Sequence, residues 1–177
     1  MFRGIITGFL FMVILMIQVS FIHSLPTFLS IIPIMFALSV YLVQHQQLQS
    51  GALWLIVYGM YLDMFGLGEV PFITLAFTAA AIVCVILSRR LFTNRSIYGV
   101  LGNGLITATS FITVVIGIRF LQDLRVASFL DWNTLLNQEL IFLGLLLLVL
   151  IGLFQSAGLI RFILIKSFLL SPKQQTY

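Results

Sequence analysis

From Ile141 to Leu153 the chain carries no polar side chain and no alternation of apolar with polar residues. A strand of a membrane barrel must alternate, one side chain toward lipid and the next toward the lumen. This run cannot be such a strand. In hydrocarbon the other solution is the helix, which satisfies its own backbone polar groups.

The run is one of six. With 61% hydrophobic residues, 8% charged residues and a mean hydropathy of +1.18, the chain is far from the roughly one-quarter charged residues of soluble domains. The charges that water would solvate are missing, so lipid is the implied solvent. A helix crosses the hydrocarbon in about 20 residues, and six stretches approach that length: Gly4 to Ile22, Leu25 to Val43, Gly51 to Leu67, Val70 to Leu87, Ile97 to Ile118 and Leu135 to Leu159. The expected fold is therefore an all-α, polytopic membrane helix bundle forming one transmembrane domain over residues 1–177. Pro26 and Pro33 fall in the second stretch, and Pro33 should kink or delay its helix, because proline removes a backbone donor. The segment after Met1-Phe2-Arg3-Gly4 lacks a small-x-small cleavage site and is followed by further spans, so it is expected to be an uncleaved first helix. Beyond Leu159, Arg161 and Lys166 predict a basic apolar tail lying along the membrane surface.

Orientation follows from basic residues in the short connections. With the N-terminus inside, Arg3, Arg89, Arg90, Arg95, Arg161, Lys166 and Lys173 are cytoplasmic, and only Arg119 and Arg125 are outside. Seven against two predicts N-in/C-in. The connection from Gln44 to Ser50 holds no charge and casts no vote. A net charge of +4 would suggest nucleic acid in a soluble protein; here its placement orients the chain, and no nucleic-acid partner is expected. The outer connection from Arg119 to Thr134 contains Asp131, a residue suited to cap the last helix.

Asp63 is the most informative single residue, because a carboxylate within a span costs about 2.5–3.5 kcal/mol at mid-membrane and less toward the ends. Gly59 lies four residues before it and Gly66 three after, which puts all three on one helical face; Gly68 follows. Small residues beside a buried acid admit another helix that can supply donors. The structural expectation is that Asp63 accepts hydrogen bonds from a neighbouring helix or a helix N-terminus. A ligand or proton site is the functional alternative, for which one carboxylate is thin material. In the fifth stretch Gly99, Asn103, Ser110, Thr113 and Gly117 follow at spacings of four, seven, three and four, with Thr107 and Thr109 beside them. In lipid such a stripe predicts a helix-packing seam, with a hydrophilic cavity as the alternative. Asn103 is a candidate partner for Asp63, although its depth is on the other side of the membrane.

Cys84, the single cysteine, excludes a disulfide framework and reads as a small residue of the core or the lipid face. His23 and His45 lie in expected loops with no acidic or cysteine partner at metal spacing. Trp54, Tyr58 and Tyr61 fit interfacial belts and packing. No zinc-protease, nucleophile-elbow or phosphate-loop motif occurs, so neither a cofactor nor enzymatic chemistry is expected.

Gly51, Gly59, Asp63, Gly66, Gly68 and the apolar run Phe72 to Phe77 resemble the MreD family, the small membrane subunit of the bacterial cell-elongation machinery. Gln18, Pro33 and the basic connection from Arg89 to Arg95 are similar to that family too. Pro71 stands where the family usually has glycine, and Leu67 separates Gly66 from Gly68. The resemblance covers about a third of the chain. It implies a scaffold in the bacterial cytoplasmic membrane, partnered with the single-pass protein MreC and with MreB, RodA and a class B penicillin-binding protein. A substrate-binding subunit of an energy-coupling-factor vitamin transporter is the competing expectation; Ala79-Ala80-Ala81 or Gly102-Asn103-Gly104 would then dock the coupling subunit. A membrane-embedded enzyme is the third.

Overall fold

The computed structural model describes residues 2–22, 32–45, 48–66, 71–92, 96–126 and 132–169. Among them there are six α-helices and no strand: α1 (Phe2–Met16), α2 (Ile34–Gln44), α3 (Leu48–Met64), α4 (Ile73–Arg90), α5 (Ile97–Val126) and α6 (Trp132–Leu169). A π-helical turn, Ile17–Ile22, continues α1. Three of the helices are long and apolar enough to cross a membrane, over Ile73–Arg90, Ile97–Gln122 and Asn133–Leu159.

The helix ends follow local chemistry. Pro33 delays α2, which starts at Ile34 immediately after it; its ring fits the helix start, where the missing N–H is not needed. The Pro33 carbonyl accepts the first turn's bond from the Ala37 N–H at 2.9 Å. Several expected boundaries are corrected. Gln44 is still helical and α3 begins at Leu48, so most of the expected Gln44–Ser50 connection is helix. Arg119 does not end α5, which runs on to Val126, because leucine, glutamine and arginine are good helix formers in or out of lipid. The expected surface tail is continuous with the last span: α6 runs unbroken through Arg161 and Lys166 to Leu169. Asp131, proposed to cap α6, lies outside the described residues, as do His23 and Gly68.

The core is a knot of rings. Phe36 of α2 stands 6.1 Å from Phe77 of α4, 5.6 Å from Phe111 of α5 and 5.8 Å from Phe142 of α6. Tyr58 of α3 meets Phe77 edge-on at 5.2 Å, so one cluster joins five helices. Edge-to-face pairs of this kind contribute about 0.5–1.5 kcal/mol beyond their area. Trp54, also buried, holds α1 through an edge contact with Phe11 at 5.2 Å. Trp54 and Tyr58 are thus packing residues, and no belt is needed to explain them.

Two glycines set the helix spacing. A Cβ on Gly51 would come within 2.7 Å of the Ser39 carbonyl oxygen and 2.8 Å of the Val43 nitrogen, so α2 and α3 touch backbone to backbone. A Cβ on Gly59 would meet the Phe77 Cβ at 2.9 Å and the Thr74 Cα at 3.0 Å. This second approach brings α3 against the start of α4, where Asp63 acts.

Candidate functional site: a helix-end carboxylate and a buried amide network

The last turn of α3 carries Asp63, and the first turn of α4 carries free backbone donors. A helix leaves its first N–H groups without intrahelical partners. Usually the residue before the helix supplies an acceptor from its own side chain. Here that residue is Phe72, which has none and sits in the left-handed region at φ 60°. Asp63 does the capping from the neighbouring helix instead. Its Oδ1 accepts the Ile73 N–H at 2.9 Å, its Oδ2 accepts the Thr74 N–H at 2.9 Å, and the Thr74 hydroxyl donates to Oδ2 as well. The partial positive charge at a helix N-terminus favours an anion in that place. Left-handed backbone costs a non-glycine residue roughly 1–2 kcal/mol, and the three bonds to Asp63 hold the turn closed against it.

Gly66 does not share a helical face with Asp63. The helix α3 ends at Met64, and Gly66 lies in the turn beyond it with φ +63° and open space around it. Glycine is needed there for its conformation, since the left-handed region is open to it without a Cβ clash. Gly59 does lie on the packed face, against α4.

Asn103 is fully buried and does not meet Asp63. Its Nδ2 donates to Gln44 Oε1 at 3.0 Å and to Ser88 Oγ at 2.9 Å, and lies 3.6 Å from Cys84 Sγ. Ser88 Oγ donates to Gln44 Oε1 at 3.1 Å, and Thr107 Oγ1 to Asn103 Oδ1 at 3.3 Å. Gln44 Nε2 donates to the Phe92 carbonyl just past the end of α4. The network ties α2, α4, α5 and the α4–α5 connection together. Each member meets its needs within the bundle, which is the condition for burying amides at all.

The stripe on α5 divides. Gly99 and Asn103 are buried, Ser110 is half-buried, and Thr113 and Gly117 are exposed. The apolar residues that α5 turns into the core include Val100, Gly104, Ala108, Phe111 and Val115, with Gly104 pressed close to Leu150 of α6. Their spacing of four, four, three and four marks a seam to one side of the polar stripe. Around Gly117 a Cβ would meet nothing within 4 Å. The Thr109 and Thr113 hydroxyls beside it bond back to the carbonyls of Ile106 at 2.9 Å and Thr109 at 2.7 Å, so this face offers small surfaces without unmet polar groups.

Three polar residues were missed in the sequence, and Gln18 was noted only for its family likeness. Gln44 falls in a charge-free stretch that reads as a loop, and Ser88 precedes two arginines and reads as a stop. Glu139 lies inside the apolar window of α6, half-buried near its start. Gln18, in the π-helical turn, donates from Nε2 to the Ile32 carbonyl at 2.8 Å, while its buried Oε1 has no partner. His45 is also corrected: it closes α2, half-buried and stacked on Tyr41 at 4.1 Å. Cys84 is buried. Among the described residues no group of three His, Cys, Asp or Glu side chains could hold a metal ion. No family model, no curated protein and no solved structure matches the chain.

Proposed function

We propose that this chain is a scaffold subunit of the bacterial cell-elongation machinery, a six-span N-in/C-in protein of the cytoplasmic membrane resembling MreD. It holds the transmembrane helix of an MreC-like single-pass partner and has no chemistry of its own. MreB, RodA and a class B penicillin-binding protein complete the assembly implied by the resemblance.

The observation that carries this reading is the outer face of α5. Its small residues at Gly99 and Gly104 are used inside the bundle, whereas Thr109, Thr113 and Gly117 repeat every four residues on an exposed face with room at Gly117. Small residues at that spacing let a second helix approach closely in lipid, where packing rather than hydrophobicity drives association. Asp63 supports the same reading, because both its oxygens are occupied at the start of α4. The transporter-subunit alternative draws less support. Ala80, Ala81 and Gly104, which were to face its coupling subunit, are buried, and Gly102 packs on the Phe92 ring.

The test is co-purification with the MreC-like partner. Gly117→Leu is expected to remain monodisperse in detergent and to lose the partner, while Leu147→Phe keeps it. A Gly117→Leu protein that retains the partner, together with a tightly bound small molecule in the purified chain, would replace this reading with the transporter subunit.

A further inference from the structure

At the C-terminal end of α4, Arg89 and Arg90 are exposed, and among the described residues neither has an ion-pair partner. Leu91 follows at 68% exposure, and Tyr98, in the first turn of α5, is 82% exposed. These side chains project from a fixed turn. The Leu91 and Phe92 N–H groups both bond the Leu87 carbonyl, at 2.9 and 2.8 Å. Gln44 holds the Phe92 carbonyl, and a Cβ on Gly102 would come within 2.8 Å of the Phe92 ring. On the other side Ser88 is held by Gln44 and Asn103. The two arginines are thus bracketed by residues that the buried network pins in place.

Their depth follows from helix length. The 18 residues of α4 rise about 27 Å, close to the roughly 30 Å thickness of the hydrocarbon. With the Asp63-capped end at one boundary, Arg89 and Arg90 would stand near the other, within side-chain reach of the lipid phosphates. Exposed Leu91 precedes the connection and Tyr98 follows it, and tyrosine is a residue of membrane interfaces.

We propose that the Arg89–Arg90 turn is a headgroup site for an anionic phospholipid. The guanidinium groups take the phosphodiester by charge-assisted, forked hydrogen bonds, and Leu91 and Tyr98 lie against the glycerol and upper acyl region. The site depends on α4 crossing the bilayer and is independent of the scaffold reading.

The full chain is purified in neutral detergent and titrated with phosphatidylglycerol or phosphatidylcholine, with retained lipid counted by native mass spectrometry. Wild type is expected to retain phosphatidylglycerol in preference to phosphatidylcholine. Arg89→Gln/Arg90→Gln is expected to bind it about thirtyfold more weakly, as loss of two near-surface basic residues implies. Equal retention of the two lipids by wild type overturns the proposal, and needs no variant to fold. So does a double variant that binds phosphatidylglycerol like wild type. Inorganic phosphate or poly-glutamate that displaces phosphatidylglycerol at equal charge concentration also overturns it, in favour of a soluble anion or an acidic protein.

Discussion

Asp63 places a carboxylate between two helices and uses each of its oxygens on a helix-start donor. Asparagine keeps one acceptor oxygen in nearly the same volume, whereas leucine keeps none. A buried donor left unpaired costs about 1–3 kcal/mol. Asp63→Leu should therefore lower stability by about that much more than Asp63→Asn, read as unfolding midpoints in one detergent. Equal losses in the two variants would mean that the charge matters rather than the acceptor atoms. The importance of Asp63 was legible in the sequence because an acid in an apolar run demands a partner. The identity of the partner was not. Thr74 is an ordinary residue in a chain of this kind, and the left-handed Phe72 has no compositional signal at all. Asn103 was visible for the same reason as Asp63, but pairing it with an acid overlooked Gln44, whose neutral surroundings looked like a loop.

Helix existence was easier to read than helix ends. Among the described residues each apolar stretch holds a helix, since lipid leaves the backbone little choice, but a polar residue does not by itself mark a helix end. Arg119 is the clearest case, with α5 running seven residues past it to Val126, whereas α2 outruns its expected end at Val43 by one residue, Gln44. The network around Gln44 gives this scale its own prediction. Gln44→Leu and Asn103→Leu should be non-additive, with a coupling of about 0.5–3 kcal/mol as expected of residues sharing hydrogen bonds. Asn103→Leu and Asp63→Leu should add within about 0.5 kcal/mol. Their partners Thr74 and Ser88 stand at opposite ends of α4, about 21 Å apart along its axis. A chemical-unfolding series on the three single and two double variants measures both.

For the whole molecule, the basic bias of seven residues against two makes the sidedness testable. Cys84 is buried, so it should stay silent to a bulky thiol reagent and the natural chain can serve as background. Cysteines at Glu69 and Asp131 should label from outside, and those at Arg95 and Lys173 only after the cytoplasmic side is opened. External labelling at Arg95 would reverse the orientation and remove the N-in/C-in topology.

The continuity of α5 past Arg119 also sets a distance. Its 30 residues make a rod of about 45 Å against roughly 30 Å of hydrocarbon. If Ile97 lies at one boundary of the hydrocarbon, the stretch from Arg119 to Val126 would stand clear of the lipid as a helical post. A post of helix works as a ruler. Removing four residues from it would lower its tip by about 6 Å and turn it by about 40°. Anything that meets the tip is therefore held at a height and bearing that residue count determines.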